Sequence, residues 1–91
     1  MSIVTVFTMP TMTSDMYNQS VKELENAGLG EPKGRLYHVS ALQEDGSVIV
    51  TDVWESSELL DEFSKTLMPI LEKIGVELVA PFVSPVINII N

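Results

Sequence analysis

A strand that runs directly into a helix, between residues 46 and 63, constrains the fold of this chain more than any other stretch. β-branched residues dominate its first half, which favours a strand. One acid, Asp52, and the single tryptophan, Trp54, lie near the end of that strand. Ser56 or Ser57 then offers an N-cap, and an amphipathic helix follows. The rest of the chain is predicted to cover this strand–helix unit.

Hydrophobic periodicity and turn residues predict the other elements. Both faces of the first strand are apolar, which is typical of a central strand covered on both sides. Pro69 is predicted to kink or divide the second helix, and Pro81 and Pro85 confine the extended tail, up to residue 84, to an edge or a crossing arm. The predicted elements are a strand over 3–8, a helix capped by Thr13 or Ser14 and reaching about Ala27, strands over 35–43 and 46–55, a helix ending at Gly75, an extended tail over 77–91 and, within it, a strand over 86–90.

The resulting order, β-α-β-β-α-β, is typical of an α+β domain with an antiparallel four-stranded sheet and both helices on one face. We expect residues 1–91 to form one such domain. The second face of that sheet has no cover within the chain. Hydrophobic residues make up 45% of the sequence, more than one small core needs. A second copy of the chain would bury the surplus, so a homodimer is predicted.

The register of the hairpin between the second and third strands decides whether His38 meets Asp52. A two-residue turn ending in Gly46 places His38 and Asp52 on opposite faces of the sheet. A three-residue loop with Gly46 third, in a left-handed conformation, pairs His38 with Asp52 and Leu36 with Trp54. Both registers are open, and the position of the glycine favours the three-residue loop.

Charge and composition exclude several classes of function. Five basic residues against 13 acidic ones give a net charge of −8, which disfavours binding to nucleic acid or to an anionic membrane surface. No apolar run reaches the length of a transmembrane helix, and the N-terminus has no signal-peptide pattern, so a cytoplasmic location is expected. The chain has no cysteine. One histidine beside one aspartate gives only two ligands, so neither a metal site nor a cofactor is expected.

The strand end Val53-Trp54-Glu55-Ser56 and the helix after it resemble the antibiotic-biosynthesis-monooxygenase-like branch of the dimeric α/β-barrel superfamily. The resemblance covers the element order of essentially the whole chain. It implies a ferredoxin-like protomer, a barrel formed by the sheets of two protomers, and a pocket between each sheet and its own helices. Members include cofactor-free oxygenases of aromatic polyketides and haem-degrading enzymes.

Two departures from that family's pattern narrow the comparison. Members with the oxygenase pattern commonly carry a histidine in the second helix, where this chain has Phe63. The haem-degrading members use an asparagine on the first strand, and residues 3–8 contain none. Haem degradation is therefore disfavoured, and the chain is similar to small stand-alone members that carry a strand histidine.

Five side chains are candidates for a functional site. If Asp52 accepts the Nδ1 proton of His38, the Nε2 atom faces the pocket as a general base or hydrogen-bond donor, and this pair is the candidate catalytic group. The alternative is a structural cross-strand hydrogen bond. Trp54 and Phe63 are candidate walls of a site for a small apolar or aromatic compound, although Trp54 can equally seal the strand–helix junction. Tyr17, on the inner stripe of the first helix, is the third candidate for substrate binding, and its hydroxyl needs a partner if it is buried.

Two functions follow from these candidates. The first is a cofactor-independent, monooxygenase-like or isomerase-like enzyme in which His38 moves a proton and Asp52 orients it. The second is a non-catalytic ligand-binding or structural dimer. The second predicts a closed or absent cavity and a His38 ring that is engaged at both nitrogens.

Overall fold

The computed structural model describes residues 2–77 and 79–90 of the chain. Their elements are β1 (Ile3–Met9), α1 (Ser14–Asn26), β2 (Arg35–Leu42), β3 (Val48–Trp54), α2 (Ser57–Ile74) and β4 (Phe82–Pro85). The strands form one sheet in the order β2-β3-β1-β4, and every neighbouring pair is antiparallel. This topology confirms the predicted α+β, ferredoxin-like fold.

The core lies on the helix-covered face of the sheet. Along β1 and β3, fully buried residues alternate with half-buried ones, as strand geometry requires when one face is more deeply covered. Phe7 and Val50 from the buried face belong to the same cluster as Leu24 of α1 and as Phe63 and Leu71 of α2. Both helices therefore pack against one face.

The opposite face of the sheet stays open in the protomer. It presents mainly apolar side chains, and several of the largest are strongly exposed, including Phe82 at 61% and Val39 at 59%. The strand registers place on this face Val4 and Val6 of β1, Tyr37, Val39 and Ala41 of β2, Ile49 and Val53 of β3, and Phe82 of β4. This set is called the open face below.

The helix ends follow the predicted caps. The Thr13 hydroxyl accepts a hydrogen bond from the Met16 amide at 3.2 Å, and the Ser56 hydroxyl accepts one from the Leu59 amide at 3.3 Å. Gly75 ends α2 in the left-handed conformation, with φ at +97°. Each cap satisfies backbone groups that the helix leaves without an internal partner.

Of the two outcomes predicted at Pro69, a kink or a division of the second helix, the division is wrong. The helix α2 is continuous from Ser57 to Ile74, with Pro69 inside it. A proline removes one backbone hydrogen bond from a helix. The apolar stripe on both sides of the proline, which includes Leu60, Phe63 and Leu71, is buried against the core and holds the two halves in one helix.

The predicted strand over 86–90 is also wrong, because the fourth strand comes earlier, at Phe82–Pro85. The Val86 amide donates to the Ser2 carbonyl at 2.9 Å, so the backbone amides at even positions point toward β1. Position 85 then points to the outer edge, where a proline costs no ladder hydrogen bond. Beyond this bond the tail lies outside the sheet, and Ile87 is 99% exposed. Leu78 and Asn91 of the predicted extended tail lie outside the described residues.

The hairpin between β2 and β3 has the predicted three-residue loop. The Gln43 amide donates to the Ser47 carbonyl at 2.8 Å, and Gly46 has a φ of +87°. A glycine adopts this left-handed conformation without the steric cost that a Cβ would add. The register pairs His38 with Asp52, which confirms the favoured prediction.

One part of that prediction is wrong, because Leu36 does not lie opposite Trp54. Arg35 takes that position, and a β-bulge separates Arg35 from Tyr37. The Glu55 amide donates to the Gly34 carbonyl at 2.8 Å. Between this bond and the His38–Asp52 pair, β2 has three residues and β3 has two, so the strands can pair only through a bulge. The bulge turns Arg35, rather than Leu36, toward the helices.

The side chain of Asp45 stabilises the hairpin loop in a pH-dependent way. Its carboxylate accepts hydrogen bonds from the Ser47 hydroxyl at 2.6 Å and the Ser47 amide at 2.9 Å. Both bonds hold the pKa of Asp45 below its usual value of 3.8, and the bond from the hydroxyl has the larger effect. A carboxyl whose pKa is lowered by folding adds stability above its unfolded pKa, and that stability is lost as the pH falls through the folded pKa.

We therefore predict that Asp45→Asn lowers the melting temperature at pH 7, and that its difference from the native protein shrinks as the pH falls below 3.8. Thermal unfolding followed by circular dichroism across this range measures the effect. Glu44→Gln makes the same charge change one residue away, outside the Ser47 hydrogen bonds, and serves as the control. A difference that stays constant through the acid range would contradict the prediction.

Candidate functional site

Three polar side chains from three different elements form one hydrogen-bonded chain. The His38 Nδ1 atom, on β2, lies 2.6 Å from the Asp52 Oδ1 atom on β3. The His38 Nε2 atom lies 2.7 Å from the Tyr17 hydroxyl oxygen on α1. This chain, Tyr17–His38–Asp52, is called the triad below, and it includes both residues predicted to be catalytic.

Asp52 is the deeply buried member of the triad. The Asp52 side chain is 6% exposed, whereas the His38 side chain is 27% exposed. A carboxylate at this depth is costly unless a hydrogen bond compensates for lost water. The contact with His38 is short, as expected for a charge-assisted hydrogen bond. In the structure the partner of Asp52 is His38.

The partners of the imidazole assign its tautomer. A carboxylate accepts hydrogen bonds, so Nδ1 of His38 carries the proton that is donated to Asp52. In the neutral ring the Nε2 atom is then the acceptor, and the Tyr17 hydroxyl donates to it. The two rings are nearly parallel, at 9°, with centroids 6.2 Å apart. With this separation and a 2.7 Å hydrogen bond, the phenol meets the imidazole edge to edge.

The triad borders a cavity of about 130 Å³ between the sheet and the helices. Apolar side chains form most of its wall, and polar side chains form the smaller part. The apolar lining includes Phe7, Met9, Met12, Val21, Leu24, Leu29, Val50, Phe63, Leu67 and Leu71. The polar side chains in the lining are Tyr17, Ser20, Arg35, His38 and Asp52. Such a cavity suits a small molecule with an apolar body and few polar groups.

The two aromatic candidates occupy different layers. Phe63 lines the cavity. Trp54 is completely buried and packs against Phe63, with ring centroids 5.2 Å apart and a tilt of 39°. Among the described residues that line the cavity Trp54 is not found, so it supports the wall from behind. Its indole N–H and the Thr5 hydroxyl are buried without a hydrogen-bond partner among the described residues.

Arg35 is a cavity residue that the sequence reasoning did not select for the site. Its guanidinium donates to the Gly30 carbonyl at 3.2 Å, and its side chain lines the cavity. The bulge before Tyr37 brings it there. A bulge has no reliable signature in a single sequence, so only the known strand register reveals this cation.

Residues 2–77 and 79–90 contain neither a membrane-spanning helix nor a metal-binding cluster. Neither helix in this part of the chain has the length and apolar character to cross a membrane. In the same residues, no group of three or more His, Cys, Asp or Glu side chains is placed to hold a metal ion.

Comparison with known proteins gives a likeness of fold. No protein-family model matches the chain, and no curated protein matches it in sequence. A proposed antibiotic biosynthesis monooxygenase from Deinococcus radiodurans matches with a TM-score of 0.64 at 13% identity, over 100% of this chain and 97% of the other. SnoaB, a cofactor-independent oxygenase from Streptomyces nogalater, matches with a TM-score of 0.64 at 12% identity, over 97% of this chain and 93% of the other.

A third solved structure, a proposed antibiotic biosynthesis monooxygenase from Caulobacter crescentus, has a TM-score of 0.55 at 14% identity and covers 91% of this chain and 82% of the other. These structures are similar over nearly their whole length. They confirm, at the level of the fold, the resemblance to the antibiotic-biosynthesis-monooxygenase-like proteins.

The buried carboxylate of Asp52 makes His38 important for stability. We predict that His38→Ala lowers the free energy of unfolding by about 1–3 kcal/mol, because it removes the hydrogen bond of a buried acceptor. Asp52→Asn in the same background removes the charge that has lost its partner. The double variant should therefore lose less than the sum of the two single variants.

Urea denaturation of the four proteins in this cycle measures the coupling. Ser40→Ala, on the same strand as His38, is the control for shortening a polar side chain on β2. Additive losses in the cycle would show that His38 and Asp52 do not stabilise the fold as a pair.

Proposed function

We propose that the protein is a small cytoplasmic homodimer whose sheet–helix cavity binds a small apolar or aromatic compound, and that it acts on this compound as a cofactor-independent, monooxygenase-like enzyme. The observation that carries the proposal is the apolar cavity with the His38–Asp52 pair in its wall. In this proposal His38 takes part in moving a proton, and Asp52 holds the imidazole in the required tautomer.

The lining of the cavity defines the ligand. Its apolar wall favours a hydrocarbon or aromatic body, and Phe63 offers a ring against which a flat ligand can pack. Trp54 acts through Phe63, which it contacts from behind. The polar side chains, Tyr17 among them, orient the polar end of the ligand. A phenol or an enol has both of these parts.

The proposed reaction with oxygen follows from the acidity of a phenol or an enol. Removing a proton from a phenol or an enol gives an electron-rich anion, and an anion of this type can react with oxygen without a bound cofactor. A histidine held by a carboxylate is the usual protein group for such a proton transfer. SnoaB, which has a similar fold, is a cofactor-independent oxygenase, and this supports the proposal at the level of the fold.

The open face supports the homodimer. Its exposed apolar side chains, among them Phe82 and Val39, extend over all four strands of the sheet. A monomer that leaves such a surface in water loses the stabilisation of burying it. Packing the open faces of two protomers together buries both at once through a twofold axis.

One observation favours the alternative, a non-catalytic ligand-binding or structural dimer. Both ring nitrogens of His38 are engaged, as that alternative predicts. The cavity lined by His38, however, is open, whereas the alternative predicts a closed or absent one. A dimer that binds a small compound without converting it is therefore the second candidate function.

We predict that light scattering at micromolar concentration gives the mass of a dimer, and that Val39→Glu shifts it toward the monomer. The reason is that a carboxylate buried in an apolar interface lacks a partner. Val79→Glu makes the same change at an exposed valine outside the four strands and should leave the dimer intact. A monomeric native protein would rule out the dimer.

We also predict that the native protein binds small phenols, and that Val21→Trp weakens this binding by about tenfold or more, since a large indole occupies the cavity from α1. Isothermal titration calorimetry measures the dissociation constants. Lys22→Trp adds the same side chain at an exposed neighbouring position and is the matched control. Equal binding by native and Val21→Trp proteins would place the ligand elsewhere.

Oxygen uptake that is lost in His38→Ala would then separate the enzyme from the binding protein.

A further inference from the structure

The lone pair of the His38 Nε2 atom is already in use. In the neutral imidazole the Tyr17 hydroxyl donates to it at 2.7 Å, while Nδ1 donates to Asp52 at 2.6 Å. A ligand in the cavity therefore meets an imidazole whose two nitrogens both have partners. For His38 to take a proton directly from the ligand, the whole Tyr17 side chain would first have to move away from Nε2.

The Tyr17 oxygen, by contrast, keeps acceptor capacity on its outer side. A phenolic hydroxyl has one proton to donate and lone pairs to accept with, and the hydrogen bond to His38 uses the proton. Tyr17 is half-buried and lines the cavity together with His38 and Asp52. Its oxygen is thus the atom of the triad that can accept a hydrogen bond from a ligand hydroxyl while the triad stays intact.

We propose that Tyr17 is the catalytic residue that exchanges a proton with the ligand, and that His38 relays this proton. The proposal deepens the proposed function and rests on it. In the step, the ligand O–H bond breaks and its proton forms a new O–H bond with Tyr17. The original Tyr17 proton moves to His38 Nε2. The products are a ligand anion, a neutral Tyr17 and an imidazolium, so two protons move and no charge is created overall.

Asp52 makes this transfer favourable in a largely apolar cavity. Its carboxylate lies 2.6 Å from Nδ1, so the imidazolium forms directly beside a negative charge. Asp52 keeps its own position, because it accepts the same Nδ1 hydrogen bond before and after the step. His38 and Asp52 are then positioning residues that act through Tyr17.

Proton exchange with Tyr17 narrows the class of ligand that the cavity can use. The ligand must carry a weakly acidic hydroxyl that reaches Tyr17, and the remainder must fit an apolar wall. The guanidinium of Arg35 on the same cavity wall offers a positive charge to the anion that forms. Phenols and stable enols meet these requirements, whereas compounds with only C–H and ether groups do not.

The test uses 4-nitrophenol, whose phenolate absorbs visible light and whose neutral form does not. At a pH below the solution pKa of the probe, we expect the fraction of phenolate to be larger for the probe bound to the native protein than for the free probe. Tyr17→Phe keeps the ring but removes the hydroxyl. It should bind the probe more weakly and, with the cavity saturated by probe, lose the excess phenolate.

A second readout follows the proton itself. The chain contains one histidine, so the ¹⁵N spectrum of histidine-labelled protein reports on His38 alone. Adding the probe to the native protein should convert the neutral Nδ1–H tautomer to the doubly protonated ring. In Tyr17→Phe the tautomer should stay neutral. Tyr37→Phe makes the same chemical change on the open face, away from the cavity, and should behave like the native protein.

The outcomes separate this proposal from the proposed function. A native protein that does not bind the probe in the cavity overturns both. A native protein that binds the probe in its neutral form, with His38 unchanged, overturns the relay and leaves the binding cavity in place. The relay is also wrong if Tyr17→Phe ionises the bound probe as well as the native protein does.

Discussion

The burial of one carboxylate, Asp52, is the constraint on which the rest of the site depends. On a sheet face covered by two helices it requires a hydrogen-bond donor, and His38 is the donor that the register provides. The register in turn depends on a three-residue loop closed by Gly46. A change of one residue in that loop would move His38 to the open face and leave the carboxylate alone under the helices. The turn and the site are therefore one structural unit, although they lie at opposite ends of the hairpin.

Much of this fold could be predicted from the sequence because its signals are local. Serine and threonine caps, a glycine that ends α2 and a glycine in a tight loop each act through their immediate neighbours. The pairing of His38 with Asp52 followed from one such signal, the position of Gly46. The order of helices and strands could also be predicted, because the spacing of apolar residues along the sequence differs between a helix and a strand.

The errors have a common origin in contacts between distant parts of the chain. The bulge at Arg35 arises because the Gly34–Glu55 bond and the His38–Asp52 pair enclose unequal numbers of residues. The fourth strand forms at Phe82–Pro85 because β1 is available to pair with it, although a run of isoleucine and valine just beyond has the stronger strand propensity. The hydrogen bond from Tyr17 to His38 depends on how α1 packs across the sheet, and periodicity placed Tyr17 inside without naming its partner.

The sequence separations within the triad bear on how the protein folds. His38 and Asp52 are 14 residues apart in a single hairpin, and closing so short a loop is fast and costs little chain entropy. Tyr17 reaches His38 only when α1 has docked, and β4 must return to β1 from the far end of the chain. The histidine–aspartate pair can thus form early, in a nascent hairpin, whereas the phenol joins it at the end of assembly. The complete hydrogen-bonded chain therefore requires the docked tertiary structure and not the hairpin alone.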